Sequence, residues 1–384
     1  MKTKFLTGLL VAMLAAPSGA AENSKIAVPS ADDAPIAYMI DANSGQVLFA
    51  READRRFMPA SITKVMTTFL AFEWMEEGRV FSRQVYTMRP ETFAKWSRVG
   101  STMFLPRDAR VTVDDLLHGV TAVSANDGAV VLAEGAAGTV DDWVAAMNAK
   151  AREIGMYDSN FGTPNGWMDE GRTFTSAHDL GVLARAMLLR HPSKYRHFIG
   201  AEGFEYNGIA QPNHDPISGK VPGADGIKTG FTNQAGYGFL GSAQRNGQRL
   251  VMVVAGSPTG RGRNAASRAF IEWGFKAFDS KRLFAKGQTV STARVQGGSD
   301  SAVELTADGP LRVSIPRGTD PEITLAVRYE GPLQAPIQAG EPVAELVVSI
   351  EGMPDSRIPL KARNDVPKAS ALQRVGNGLL GLFT

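Results

Sequence analysis

The chain has 384 residues, with 41 basic and 39 acidic side chains and no cysteine. At the usual ~150 residues per domain this length predicts about two domains. The 43% of hydrophobic and 21% of charged residues exclude wholesale disorder. The lack of cysteine excludes a disulfide framework, a thiol nucleophile and any cysteine-based metal site. A net charge of +2 is too small to indicate a nucleic-acid partner, so none is expected.

The first 21 residues have the order typical of a secretory signal peptide. Lys2 and Lys4 form a basic start, an apolar run covers residues 9–16, and small residues follow at 18–21. The alternatives are a membrane anchor and a buried helix, but the run is well short of the ~20 residues that a span needs. Without residues 1–21 the chain keeps 39 basic (41 − 2) and 39 acidic residues. We therefore expect an exported protein whose mature body is neutral.

Residues 30–278 mix short strands with helices. Apolar runs at 37–40 and 46–50 flank a polar turn and predict a β-hairpin. Helical spacing of apolar residues predicts a helix beginning near Ser61 and another over 177–189. Runs at 238–243 and 250–256 predict a second hairpin around Asn246-Gly247, followed by a helix over 263–278. Hairpins at both ends with helices between them favour an α+β fold, an antiparallel sheet covered by helices.

Beyond Lys281 the pattern changes to short alternating runs, such as 311–315, 323–327 and 344–350, separated by Gly and Pro turns. This texture predicts a small all-β domain over residues 281–365. No internal repeat appears at the periods typical of solenoids or propellers.

The last 28 residues, 357–384, carry five basic residues and one acid, a local charge of +4. One face of a helix over this end would collect the apolar residues Leu372, Val375, Leu379, Leu382 and Phe383. Such a basic amphipathic pattern predicts that residues 366–384 form a tail that attaches to a membrane surface. The alternatives are a helix packed on the β domain and a frayed tail, because three glycines weaken helix propensity.

The first of three chemical motifs is Ser61-Ile62-Thr63-Lys64, which is the only Ser-x-x-Lys in the chain. Residues three apart on a helix face the same side, so the Lys64 amine can reach the Ser61 hydroxyl. A serine hydroxyl needs a base to become a nucleophile. Lys64 can be that base only if burial or a neighbouring cation lowers its pKa. Alone, the spacing is more typical of a helix cap followed by a solvated lysine.

The other two motifs are Ser124-Ala125-Asn126 and the Lys228-Thr229-Gly230 segment within 225–232. The first supplies a hydroxyl that can relay a proton and an amide that both donates and accepts. In the second, Lys228 adds a cation that would depress the pKa of Lys64 and attract an anionic substrate, while Gly230 permits close approach of a ligand. Each alone also fits an ordinary turn or cap.

Together, in this order and separated by 63 (124 − 61) and 104 (228 − 124) residues, the motifs match the set known from β-lactamases and penicillin-binding proteins. The chain resembles the low-molecular-mass penicillin-binding proteins that act as D-alanyl-D-alanine carboxypeptidases and carry a β-rich second domain. The resemblance covers the chain from Ile36 to its C-terminus and rests on residues 59–67, 175–180, 225–232 and 316–318. It implies a β-lactamase/transpeptidase-like fold.

The resemblance also implies acyl transfer on a peptidoglycan stem peptide, with β-lactams as inhibitors and without a cofactor. Ser61 would attack the carbonyl between two D-alanines, Lys64 would accept its proton, and Ser124 would pass a proton to the departing nitrogen. The backbone amides of Ser61 and Phe231 would stabilise the oxyanion. The residues implied to bind substrate are Asn126, His214, Lys228, Thr229, Gly230 and Phe231. With the signal peptide and tail, this predicts an extracytoplasmic or periplasmic enzyme, peripherally anchored to the cytoplasmic membrane.

Two positions depart from the family pattern. Phe231 stands where family members often carry histidine after Lys-Thr-Gly, so we expect a more apolar groove with catalysis retained. His214 stands where many have an upstream arginine, and a histidine is only partly charged near neutral pH.

Other functions remain as alternatives. A β-lactamase needs a deacylating glutamate, and the acids of the 164–170 loop do not form the expected pattern. A D,D-endopeptidase that cuts cross-links has the same motifs, and a wall-binding scaffold with little turnover would keep the pocket. A Ser-His-Asp hydrolase lacks its Gly-x-Ser-x-Gly elbow. The five histidines show no strong ligand spacing, so no metal is expected.

Overall fold

A computed structural model describes residues 27–370 of the chain. The predicted signal peptide and residues 371–384 of the predicted tail lie outside the described residues. The first part of the fold contains, in chain order, β1 (Ile36–Asp41), β2 (Val47–Arg51), α1 (Thr63–Glu76), β3 (Val85–Thr87), α2 (Pro90–Trp96), β4 (Arg110–Thr112), α3 (Val113–Ala122), α4 (Asn126–Ala137), α5 (Val140–Glu153), α6 (Ala177–Arg190), α7 (Pro192–Phe198), β5 (Gly203–Tyr206), β6 (Ile209–Pro212), β7 (Ala224–Thr232), β8 (Gly236–Arg245), β9 (Gln248–Ser257) and α8 (Gly260–Ala277).

The central sheet has five antiparallel strands in the order β2-β1-β9-β8-β7. Both predicted hairpins are present, and β1 pairs with β9, so the two ends of this region close one sheet. The turn between β8 and β9 places Asn246 at φ 50° and Gly247 at φ 81°. Two successive residues with positive φ match the twist of a hairpin, which explains the Asn-Gly sequence there. The predicted antiparallel sheet is confirmed.

Helices pack on the sheet, and the most deeply buried of the larger ones carries the first chemical motif. The helix predicted near Ser61 starts as a 3₁₀ turn, Ala60–Ile62, and continues as α1. Nearly every residue of α1 is buried, because it lies within the helical layer and contacts α3, α5 and α6. α6 begins where the Ser176 hydroxyl accepts a hydrogen bond from the Asp179 amide, an N-cap that defines its start. No helix within residues 27–370 has the length and apolar character required to cross a membrane.

The remaining described chain is all-β. Its strands are β10 (Phe278–Phe284), β11 (Ser291–Gln296), β12 (Ala302–Thr306), β13 (Leu311–Pro316), β14 (Ile323–Arg328), β15 (Leu333–Gln334), β16 (Pro342–Ile350) and β17 (Ser356–Ala362). β10 pairs with β13, and the other six form a sheet in the order β14-β16-β17-β12-β11-β15. Alternate residues such as Leu346, Val348 and Ile350 point into a separate hydrophobic core. The predicted all-β domain is confirmed as a fold class.

The β domain extends beyond the boundaries expected from sequence. β10 begins at Phe278 rather than after Lys281, because its first residue already pairs with Pro316 of β13. At the other end, Val366 is buried and exchanges backbone hydrogen bonds with Ile337, and the Ala369 amide donates to Gly297. Residues 366–369 are therefore attached to the β domain instead of opening a separate tail.

Three of the five basic residues counted in the last 28 residues lie in the folded β domain. Arg357 and Lys361 lie in β17, and Arg363 directly follows it. They pair with acids of the same domain: Arg357 with Glu345 (3.5 Å), Lys361 with Asp308 (2.7 Å) and Arg363 with Glu304 (3.0 Å). It is therefore wrong to count all five basic residues toward an amphipathic tail, because Arg357, Lys361 and Arg363 belong to the β domain.

A buried polar cluster joins the two parts of the fold. The Ser314 hydroxyl of β13 donates to Asp41 Oδ2 (2.6 Å) and accepts from Gln248 Nε2 (2.8 Å). The Ser314 backbone amide and carbonyl bond the side chain of Gln46. Because Asp41 is fully buried, the bonds from the Ser314 hydroxyl and the Asn43 amide replace water that its carboxyl group has lost.

Candidate active site

The Ser-x-x-Lys segment lies where the 3₁₀ turn meets α1. Lys64 Nζ lies 3.0 Å from Ser61 Oγ, as the one-turn spacing predicts. Ala60, directly before the serine, has φ 50°, a left-handed conformation that is unfavourable for a residue with a Cβ. The hydroxyl is therefore held at a strained turn beside an amine.

Lys64 is buried to an unusual degree for a lysine, with 1% of its surface exposed. Its Nζ also donates to Asn126 Oδ1 (2.8 Å) and to the backbone carbonyl of Asn165 (2.7 Å). Burial lowers the pKa of Lys64 well below its ordinary value, and the positive charge of Lys228 lowers that pKa further. A neutral amine has two hydrogens and one lone pair. With both hydrogens on these oxygens, the lone pair of Lys64 is left for the serine hydroxyl.

The Ser124-Ala125-Asn126 segment lines the cavity with Ser124 and Asn126, and α4 begins at Asn126. Ser124 has φ 62°, and its buried Oγ has no hydrogen-bond partner among residues 27–370. Buried hydroxyls are normally bonded, so this one is available to a bound group. The Asn126 Nδ2 donates to the Val99 carbonyl (2.9 Å), which leaves its second hydrogen unassigned.

A carboxylate next to this motif holds the neighbouring loop. Asp127 is buried and accepts hydrogen bonds from the backbone amides of Met103 (3.0 Å) and Leu105 (3.1 Å). The preceding loop residues Gly100 and Ser101 line the cavity. Asp127 thus joins that loop to α4 beside Asn126.

The Lys-Thr-Gly segment lies on β7, the last strand of the five-stranded sheet. Lys228 is 5% exposed, and its Nζ lies 3.1 Å from the Thr229 carbonyl oxygen. Burial, followed by the positive charge of Arg263, lowers the pKa of Lys228 to about 7. Thr229 and the exposed Phe231 line the cavity, and the Phe231 ring stacks on Tyr237 at 4.1 Å between centroids. Phe231, which was expected to make the groove more apolar, is therefore one ring of an aromatic pair.

Glycine is required at position 230 for packing, in addition to the close approach of a ligand that the sequence suggests. A Cβ on Gly230 would lie 2.4 Å from the Pro59 carbonyl oxygen and 3.1 Å from the Ile62 side chain. The absent side chain lets β7 pack against the 3₁₀ turn that carries Ser61. Gly166 does the same from another loop, because its Cβ would lie 1.9 Å from the Ala60 carbonyl oxygen.

Two further residues place positive or titratable groups at the end of the cavity. Arg263, in the first turn of α8, is 8% exposed and donates to the Gly238 carbonyl at 2.8 Å. Burial lowers the pKa of Arg263 to about 10, so it remains cationic at neutral pH. His214 lies at the rim, where loss of solvent and then the charges of Lys228 and Arg263 lower its pKa. His214 is therefore uncharged near neutral pH.

One cavity of about 510 Å³ brings most of the predicted site together. The predicted residues that line it are Ser61, Ser124, Asn126, His214, Thr229, Gly230 and Phe231. Lys64 and Lys228 are buried behind this lining. The arrangement offers a hydroxyl beside an amine of lowered pKa, another hydroxyl without a partner among the described residues, and a cationic end. These are the components of acyl transfer to serine with an anionic substrate.

Sequence reasoning missed several contributors to the cavity, among them Asn165, Gly166, Trp167 and Arg263. Asn165 to Trp167 belong to an irregular loop whose only visible sequence feature is the Pro-Asn-Gly turn. Arg263 follows the Thr259 N-cap of α8 by four residues, and nothing local separates it from the exposed Arg261. Only the packing of these segments against α1 and β7 brings them into the site.

Comparison with known proteins matches residues 23–259 to the D-alanyl-D-alanine carboxypeptidase family (peptidase S11). Residues 278–368 match the C-terminal domain of penicillin-binding protein 5. The D-alanyl-D-alanine carboxypeptidase DacA of Haemophilus influenzae is 32% identical over 393 residues, covering 100% of this chain and 98% of that protein.

Solved structures agree. Penicillin-binding protein 5 from Haemophilus influenzae superposes with a TM-score of 0.73 at 32% identity, covering 89% of this chain and 100% of that one. Penicillin-binding protein D2 from Listeria monocytogenes, in its ampicillin-bound form, gives 0.56 at 26% identity over 63% of this chain and 97% of that one. The chain therefore belongs to the D-alanyl-D-alanine carboxypeptidase family of serine peptidases.

Proposed function

We propose that this protein removes the terminal D-alanine from peptidoglycan stem peptides through an acyl-enzyme on Ser61, and that β-lactams acylate the same serine. The observation that carries the proposal is the buried Lys64 amine 3.0 Å from Ser61 Oγ, whose pKa is lowered by burial and by the charge of Lys228. The family membership supports the carboxypeptidase reaction, and the ampicillin-bound relative supports β-lactam binding.

Acylation begins when the Lys64 lone pair takes the Ser61 proton and Oγ bonds to the carbonyl carbon between the two D-alanines. The backbone amides of Ser61 and Phe231 stabilise the oxyanion that forms. The C–N bond then breaks, Ser124 donates its proton to the departing nitrogen of D-alanine, and the proton that Lys64 accepted replaces it on Ser124. Lys228, close to this end of the site, lowers the pKa of Lys64 through its charge. Water finally hydrolyses the ester and frees Ser61.

The substrate is held at both ends of the cavity. The remaining hydrogen of Asn126 Nδ2 bonds a carbonyl of the stem peptide. The terminal carboxylate is bound by the Thr229 hydroxyl and by Arg263, whose guanidinium keeps its charge at neutral pH. His214 contacts the same end of the substrate as a neutral group.

The test combines product release with covalent labelling. Purified protein given a pentapeptide stem is expected to release free D-alanine, and a labelled penicillin should modify Ser61 as seen by peptide mass spectrometry. Lys64→Ala should abolish both while keeping the fold, and Lys220→Ala, an exposed lysine, is the control. If folded protein gives neither D-alanine release nor penicillin labelling, the proposal is refuted. Labelling without D-alanine release would favour a scaffold, and cleavage of cross-linked dimers alone would favour an endopeptidase.

We also propose that the protein works outside the cytoplasm, at the membrane surface. The proposal rests on the sequence pattern of residues 1–21 and on the apolar residues at 372–383. Truncation after Ser370 leaves the described contacts of the β domain intact. It should release the protein from membranes, and unchanged membrane association would contradict an anchoring tail.

A further inference from the structure

Two of the five histidines meet an aspartate on the helical side of the fold, away from the cavity. Asp114 and His118 lie four residues apart on α3, so they share one face of the helix. His197, from α7, closes the group from the neighbouring element. A ligand atom of each residue lies within 4.8 Å of those of the other two. Within residues 27–370, no other set of three or more His, Cys, Asp or Glu side chains meets this criterion.

The distances suit a divalent metal. Asp114 Oδ1 lies 3.1 Å from His197 Nε2, and Asp114 Oδ2 lies 3.7 Å from His118 Nε2. Around a tetrahedral Zn²⁺ with bonds of about 2.0–2.1 Å, ligand atoms are about 3.3 Å apart. The side chains therefore need to shift by ~1 Å or less around the carboxylate to bind one ion. Two imidazoles and one carboxylate form a donor set that zinc and similar transition metals accept.

The ligand side chains are held in place before any metal binds. The Phe198 ring contacts both histidines, with centroids 5.0 Å from His118 and 4.5 Å from His197. The Phe204 ring also stacks on His118, with centroids 6.1 Å apart. His118 is partly buried, whereas His197 and Asp114 remain accessible to an ion from solvent. Three protein ligands leave the fourth position of a tetrahedral ion on the open side, where water completes the coordination.

We propose that Asp114, His118 and His197 bind one zinc-like divalent transition-metal ion. The ion links α3 to α7, whose ends are already joined by the Thr121 hydroxyl donating to the Phe198 carbonyl at 2.6 Å. The ion therefore strengthens the packing of α3 against α7. The site is structural and takes no part in the acyl transfer.

The experiment titrates metal-free, untagged mature protein with Zn²⁺ by calorimetry, and with Co²⁺ while the visible absorption of four-coordinate cobalt is followed. We expect one ion per chain and a rise in melting temperature with Zn²⁺. Asp114→Asn and His197→Asn should each weaken binding at least about tenfold, since even loss of an outer partner of a ligand costs that much. Penicillin labelling of both variants should stay at the wild-type rate, which verifies their fold.

Asp115→Asn is the matched control. Asp115 is the next residue in the same first turn of α3, but its carboxylate accepts a hydrogen bond from the Thr112 hydroxyl at 2.6 Å and is not among the three candidate ligands. It should bind zinc as wild type does. Failure of the wild-type protein to bind one ion would overturn the proposal. So would undiminished binding by His197→Asn, or equal weakening by Asp115→Asn, which would indicate nonspecific attraction to the acidic turn.

Discussion

Replacing Arg263 with alanine should remove most of the preference for a free terminal carboxylate. Three groups at that end of the cavity can titrate, and they differ in charge at neutral pH. His214 is neutral because its pKa is lowered, and Lys228 is only partly charged because its pKa is about 7. Arg263 has a pKa of about 10 and is fully cationic. It is therefore the main permanent positive charge that a carboxylate meets in this cavity.

The magnitude follows from the type of bond that is lost. A hydrogen bond to a charged group contributes about 1.5–3 kcal/mol, and every 1.36 kcal/mol is a factor of ten in rate. We therefore expect kcat/KM for release of D-alanine to fall about ten- to 150-fold. Arg263→Lys keeps the charge without the planar guanidinium, so its kcat/KM should lie between those of Arg263→Ala and the wild type.

The assay compares a peptide ending in D-Ala-D-Ala with the same peptide carrying a C-terminal amide. In the wild type the carboxylate form should be strongly preferred, and in Arg263→Ala the two rates should approach each other. Arg261→Ala removes an exposed arginine from the same turn of α8 and should change neither rate. An equal loss with both peptides would refute the reasoning, because Arg263 would then act only through its bond to the Gly238 carbonyl.

Three other changes test the site and the domain junction. Gly166→Ala would place a Cβ 1.9 Å from the Ala60 carbonyl oxygen and force a shift of ~1 Å beside the nucleophile, so penicillin acylation should fall about 100-fold. Lys228→Met removes a charge that lowers the pKa of Lys64; that pKa should rise, and the acidic limb of the pH–rate profile should move to higher pH. Ser314→Ala strips a hydroxyl from a buried carboxylate and should lower the free energy of unfolding by about 1–3 kcal/mol in urea denaturation.

Matched variants separate these effects from general damage. Gly171 has φ 84° with no atom within 4 Å of its Cβ position, so Gly171→Ala strains the backbone without a clash and should acylate normally. The control for Lys228→Met is Lys220→Met. If the acidic limb of the pH–rate profile lies at the same pH in both variants, Lys228 does not influence the pKa of Lys64. Ser301→Ala removes an exposed hydroxyl, and a loss of stability as large as that of Ser314→Ala would contradict a special role for the junction.

Several features were predictable because they depend on neighbours in sequence. The approach of Lys64 to Ser61 follows from helical periodicity, and the hairpin at Asn246-Gly247 follows from the backbone freedom of those two residues. The all-β texture after Lys281 was visible in its alternation, although Phe278 and Val366 extend that domain at both ends. The basic residues of β17 misled the interpretation of the chain end, since charge composition does not distinguish a sheet surface from a tail.

The local pattern thus determined the fold class, the motif order and the reactive pair. Tertiary structure alone decided how that pair works, because the pKa of Lys64 depends on burial and on Lys228, which is 164 residues away in sequence (228 − 64). It also brought Arg263 into the cavity and required glycine at 230, where β7 meets the turn at Ser61. Desolvation and close packing are properties of surfaces that meet only in the folded chain, so no window of sequence contains them.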